Sequence, residues 1–116
     1  MNGEIITVGT ELLLGGIVNT NSQYISRELA ALGVNVYFQV TVGDNPSRLK
    51  KMLSQAVNRS EVIIITGGLG PTADDITKET VSAAIGRPMY EDKKSLEAIK
   101  SFFAKMGKEM SETNRK

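Results

Sequence analysis

The chain of 116 residues contains no cysteine and no histidine. The first absence excludes disulfides, thiolate zinc sites and cysteine nucleophiles, and it suits a reducing compartment. The second reaches further. Any base or metal ligand must then be a carboxylate, hydroxyl, lysine, backbone carbonyl or bound water, and oxygen-only ligation points to a hard cation rather than to structural zinc. Tryptophan is missing too, and with three Phe and three Tyr the core has to come mostly from aliphatic side chains. No charge sign dominates: 14 Lys and Arg stand against 13 Asp and Glu, a formal net charge of +1. Without a large single-sign field there is no long-range pull toward nucleic acid or an anionic membrane. No apolar run approaches the roughly 18 residues of a membrane span, and Met1-Asn2-Gly3-Glu4 lacks the basic start of a secretory signal. The expectation is a cytoplasmic protein without nucleic-acid or membrane partners.

What is present reads as one α/β domain, or slightly less than one. Hydrophobic residues make up 41% and charged residues 23%, enough for a core and for solubility. Glu4 to Val8 reads as a short buried strand. Asn19-Thr20-Asn21 offers cap chemistry for a helix whose stripe is Ile25, Leu29 and Leu32, with Gly33 at the left-handed end. Val34 to Val42 reads as a second strand. Asn45-Pro46 opens the next helix, proline standing where its missing N–H costs nothing. Its stripe is Leu49, Met52, Leu53, Ala56 and Val57. Val62 to Ile65 is apolar on both faces, as a central parallel strand must be. A helix follows from about Thr77 to Ile85, stopped by Gly86 and Pro88. Asp92 caps a last full helix with Leu96, Ile99, Phe103 and Met106 as its stripe. Strands alternating with helices predict right-handed crossovers and a three-layer α/β/α sandwich with a mostly parallel sheet. Three strands are few for such a sheet, and Ser111 reads as the cap of a further helix, so the domain is expected to continue past Lys116.

The sharpest feature is Thr66-Gly67-Gly68-Leu69-Gly70-Pro71-Thr72-Ala73-Asp74-Asp75-Ile76-Thr77, placed after a buried strand and before a helix. Glycines there permit positive φ and close approach of backbone to ligand. Successive N–H groups in such a turn make an anion-binding concavity, reinforced by the helix behind it. Carboxylates so near a phosphate cradle would repel a bare anion, and a divalent cation resolves the conflict. Gly9-Thr10-Glu11 and Gly43-Asp44-Asn45 follow the other two strands. In a parallel sheet these ends share one edge, where open α/β sheets place their ligands. Glu11, Asp44 and Asp75 are therefore the candidate metal ligands. Each also has a bland reading: Asp44 as a helix cap, Glu11 as a solvated loop residue, Asp75 as a dipole partner. Asn19 and Asn21 could meet a base or sugar. Leu12 to Val18 is apolar enough to wall a pocket or a subunit interface. A Walker A loop is excluded, because no Gly-Lys-Ser/Thr ending is present. Gly68 to Ala73 fits the dinucleotide fingerprint weakly, without a strand to carry a ribose-binding acid about 20 residues on.

The glycine-rich string, together with Gly9-Thr10-Glu11-Leu12-Leu13 and Asn19-Thr20-Asn21, resembles the amino-terminal domain of the CinA (competence/damage-inducible) family over essentially the whole of residues 1–116. More distantly it is similar to the MoaB/MogA fold, whose T-G-G-x-G loop and following aspartate hold molybdopterin. The resemblance implies a molybdopterin-binding-type α/β/α fold, and for the CinA branch a metal-dependent ADP-ribose pyrophosphatase activity yielding AMP and ribose 5-phosphate. It matches Asp44 and Asp75 to the acidic positions of the wider fold, and Glu11 and Asp74 to the CinA branch. The carboxyl-terminal amidase domain of full CinA proteins is not in this sequence.

These readings combine into one expectation and one alternative. Thr66, Gly67, Gly68, Gly70 and Thr72, with Asn19 and Asn21, bind a nucleotide or pterin phosphate. Glu11, Asp44 and Asp75 hold a divalent metal, Mg²⁺ first and Mn²⁺ or Co²⁺ as alternatives, and Asp74 and Asp75 act in hydrolysis. The alternative is a non-catalytic nucleotide- or pterin-binding module. In either case a homo-oligomer is expected, since a thin sheet and an apolar loop need cover.

Overall fold

A computed structural model of the chain describes residues 1–10, 20–105 and 107. Glu11, the Leu12 to Val18 stretch, Asn19, Met106 and Ser111 lie outside the described residues. Strand β1 (Asn2–Val8) occupies the middle of a parallel sheet, flanked by β2 (Asn35–Val42) and β3 (Val62–Thr66) in the order β2-β1-β3. Glu4 lies opposite Phe38 and Ile63, and Ile6 opposite Val40 and Ile65. The register shifts between Gly3 and Glu4, which leaves Tyr37 as the extra residue of a bulge.

Parallel neighbours require crossovers, and helices α1 (Thr20–Ala31) and α2 (Pro46–Arg59) supply them. After β3 come α3 (Thr77–Ile85) and α4 (Lys93–Lys105). The two-residue period of β1 sends Glu4, Ile6 and Val8 to one face and Ile5 and Thr7 to the other. On the first face Ile6, Val8 and Val42 pack against Leu49, Leu53 and Ala56 of α2, with Ile63, Ile65 and Val81 completing the cluster. On the second face α1 lies against β1 and β2. There the buried hydroxyls of Thr7 and Ser22 are 3.0 Å apart. The result is the α/β/α sandwich that the alternation predicts. Ile5, Ile6 and Leu49 are fully buried, each contributing about 1.5–3 kcal/mol.

Local signals place the helix ends well. Asn45 accepts a hydrogen bond from the Arg48 amide at 3.1 Å, with Pro46 beginning α2. Asn45→Ala should therefore lower stability by about 1 kcal/mol, read as a lower urea midpoint at unchanged slope. Gly33, Gly86 and Gly107 all end helices with φ between 68° and 85°. Asp92 serves α4, its Oδ2 accepting from the Ser95 hydroxyl at 2.6 Å.

Three expectations need correction. Val62 to Ile65 is not the central strand among the described residues: β3 is an edge, half-buried throughout, and β1 is the centre. An apolar run reports that both faces favour cover, not which strands flank it. Leu32 is 79% exposed, because α1 has already ended at Ala31. Val57 is 56% exposed, off the buried face of α2. Helix α4 keeps Leu96, Ile99 and Phe103 half-buried and has no buried residue. Among the described residues no helix is long and apolar enough to cross a membrane.

Candidate functional site at the carboxyl edge of the sheet

All three strands point their carboxyl ends to one edge, and the glycine-rich loop is built onto it. Gly67 and Gly68 take φ of 87° and 66°, a region closed to most side-chain-bearing residues. A methyl group on Gly67 would collide with the Val8 carbonyl oxygen at the end of β1, and one on Gly68 with the Thr77 hydroxyl. Thr77, 3% exposed, stitches the loop down. Its Oγ1 donates to the Gly67 carbonyl at 2.7 Å and its N–H to the Gly68 carbonyl at 3.1 Å. Among the described residues nothing accepts the N–H groups of Gly68, Leu69 or Gly70, which makes them three successive candidate donors for a ligand. Thr77 is a site residue to which sequence reasoning gave no role. A small hydroxyl at the first position of the helix after a glycine loop was the available signal.

The second half of the loop closes on itself. Thr72 donates both its N–H and its hydroxyl to Asp75 Oδ2, at 3.1 and 2.6 Å, and Asp75 N–H returns to the Thr72 carbonyl at 3.2 Å. A methyl group on Gly70 would sit 2.6 Å from that same Oδ2. Asp75 therefore does not cap α3: Ile76 holds the cap position and makes no side-chain cap bond. Any ligand that engages Thr72 must take its donors from Asp75. Thr66 is half-buried at the end of β3, and Asp74 is exposed.

Asp44 does not cap α2 either, since Asn45 does so. Its Oδ2 accepts from the Thr10 N–H and hydroxyl at 3.4 and 3.2 Å, and its own N–H donates to Thr10 Oγ1 at 3.1 Å. With the Gly9 N–H to Val42 carbonyl bond of 2.8 Å, these bonds tie the β1 and β2 loops together. A groove of about 430 Å³ lies between the start of α2 and the end of the glycine loop with α3, lined among others by Pro46, Ser47, Lys50, Ala73, Asp75 and Glu79. Asn21 lies exposed in the first turn of α1, and no hydrogen bond ties it to the glycine loop.

For a metal ion the donors are of the right kind: hard carboxylate and hydroxyl oxygens at Asp44, Thr10, Thr72 and Asp75. Among the described residues, however, no three acidic side chains form a ligand group. Asp44, Asp74 and Asp75 do not make one by themselves, and Glu11 lies outside the described residues.

Residues 4–115 match the family model described as a probable molybdopterin binding domain. The chain belongs to that family. It is 55% identical over all 116 residues to the competence-damage inducible protein of Clostridioides difficile, and 56% identical to that of a Thermoanaerobacter species. In both cases it spans 28% of the relative's length. The fold is similar to the CinA protein of Thermoplasma acidophilum, with a TM-score of 0.88 and 31% identity over 99% of this chain and 67% of that one. It is also similar to the molybdopterin biosynthesis enzyme MoaB of Thermus thermophilus, with a TM-score of 0.67 and 27% identity over 71% and 53% of the two chains. The domain is thus a CinA amino-terminal domain of the MoaB/MogA type, and the resemblance carried by the glycine string holds.

Proposed function

We propose that this edge binds the diphosphate of a nucleotide such as ADP-ribose together with a divalent cation, and hydrolyses it. The observation that supports the reading is the row of N–H groups at Gly68, Leu69 and Gly70, which have no acceptor among the described residues and are presented by positive φ at Gly67 and Gly68. Such a row meets phosphoryl oxygens without reorganising. The Thr72 hydroxyl turns from Asp75 to the phosphate when the ligand arrives. Asp75, relieved of that hydroxyl, would hold the cation together with Asp44 and Glu11. The cation supplies charge neutralisation and activation of a water at neutral pH. Asp74, exposed beside the loop, orients the attacking water. One water is consumed: its oxygen joins one phosphorus, the bridging oxygen leaves on the other, and AMP and ribose 5-phosphate result.

The family description favours a second reading, a domain that holds a pterin or nucleotide phosphate without turnover. Incubation with ADP-ribose and Mg²⁺, followed by chromatography, separates the two. AMP release is expected; ADP-ribose bound in calorimetry with no AMP would reject catalysis and leave the binding domain. Asp75→Asn keeps an acceptor for Thr72, so it should spare the fold while weakening metal-dependent binding by about tenfold or more. Unchanged affinity would remove Asp75 from the metal set.

A further inference from the structure

Among the described residues strand β2 forms the other edge of the sheet, away from β3. Its sequence, Asn35 to Val42, contains no charge, no proline and no glycine, and Tyr37 and Phe38 are 66% and 42% exposed. Edge strands are usually blunted by charges, proline or bulges. Here the bulge at Tyr37 interrupts only the first part of the strand, and Phe38 to Val42 runs in regular register. In a parallel pair alternate residues bond to the same neighbour. The Val42 carbonyl faces β1, where it accepts from Gly9, so Gln39 and Thr41 turn their backbone groups outward.

Beside this edge lies a hollow of about 320 Å³ between β2 and α2, lined by Val40, Thr41, Val42, Arg48, Lys51 and Met52. Helix α2 carries Arg48, Lys50, Lys51 and Arg59 and no acidic residue. Arg59 is paired with Glu4. Arg48, by contrast, stands in the first turn of the helix, where its dipole disfavours positive charge, and Lys51 follows one turn later. Both line the hollow, so two cations stand beside an uncharged strand edge.

We propose that the β2 edge receives an extended acidic segment of another polypeptide, added as a further strand, with carboxylates at alternate positions facing Arg48 and Lys51. Strand addition satisfies the outward backbone groups of Gln39 and Thr41, and the alternating carboxylates give charge complementarity. A second copy of β2 is the wrong occupant, because edge-to-edge pairing would bring Arg48 and Lys51 of both chains together. Nucleic acid offers negative charge but no amide ladder in strand register.

The test uses a short peptide alternating valine and glutamate, titrated into the chain by calorimetry at low salt. Binding is expected, with at least about tenfold loss on Arg48→Gln combined with Lys51→Gln. The same peptide with N-methylated backbone amides should not bind, which separates strand addition from charge attraction without altering the protein. The proposal is overturned by failure of the glutamate peptide to bind, by equal binding of the N-methylated or lysine versions, or by an oligothymidylate binding as tightly. Self-association of the chain that the double substitution enhances would assign the edge to a second copy instead.

Discussion

Replacing Gly67 with alanine is expected to cost more than about 3 kcal/mol, whereas Gly33→Ala should cost about 1 kcal/mol. Both residues have similar positive φ, 87° and 85°, so the conformational penalty is shared. The surroundings differ. A methyl group on Gly33 meets nothing within 4 Å, while one on Gly67 meets the backbone oxygen, carbon and nitrogen of Val8. Val8 is 3% exposed at the end of the central strand, and backbone there cannot swing aside as a side chain would. Relief requires the carboxyl ends of β1 and β3 to part, which dismantles the loop that the proposed ligand needs. Gly70→Ala falls between the two, because the obstacle at 2.6 Å is the Asp75 carboxylate. It should leave the fold largely intact and displace Asp75 from Thr72. Urea midpoints of the three variants test the order; equal midpoints for Gly33→Ala and Gly67→Ala would refute the close approach of the loop to Val8.

The same contrast explains which parts of the molecule could be read before its fold was known. Features decided within a few residues were legible. Asn45-Pro46 declares a helix start because the cap bond spans only three residues, and Gly33 and Gly86 declare helix ends through their own φ. The convergence of the three loops followed from one rule about parallel sheets. What depended on distant partners was opaque. Asp44 reads as a metal ligand or, more plainly, as a cap; its hydrogen-bond partner Thr10 lies 34 residues away and neither reading names it. β3 looked central because its apolar run could not say which strands would lie beside it. Glu4 was counted only as the first residue of a strand, although its partners stand 55 and 56 residues on. The Asp75 bond to Thr72 spans three residues, and the Thr-x-x-Asp spacing could have revealed it. Asp75 has a simpler local function beside metal ligation: in this state it closes the turn that ligand binding is proposed to open.

Arg59→Met should make stability rise as the pH falls from about 7 to about 5, a range in which the Glu4 contribution to the wild type is flat. Glu4 is fully buried on the central strand, at the end of the sheet opposite the candidate site. Its carboxylate accepts from Arg59 Nε at 2.8 Å and Nη2 at 2.7 Å, and from the Ser60 hydroxyl at 3.0 Å. The Arg59 guanidinium rests 3.9 Å above the Phe38 ring, held in place on its other side. The Arg59 hydrogen bonds are the largest influence on Glu4, and with Ser60 and the Arg59 charge they outweigh burial and hold its pKa below the ordinary 4.5. A lowered folded-state pKa means that the unfolded chain binds more protons. The stability from Glu4 is therefore complete above 4.5 and drains away as pH falls through the lower folded value. Methionine at position 59 keeps the apolar contact with Phe38 and removes the hydrogen bonds and charge. Burial then dominates, the Glu4 pKa rises above its ordinary value, and the variant gains stability as acid protonates the buried carboxyl. Asp92, whose pKa is lowered chiefly by the Ser95 hydroxyl, titrates alike in both proteins and cancels in the difference. Adding Glu4→Gln to Arg59→Met should flatten the variant's profile over that range. Parallel urea-midpoint profiles for wild type and Arg59→Met would show that the pair does not govern Glu4's protonation.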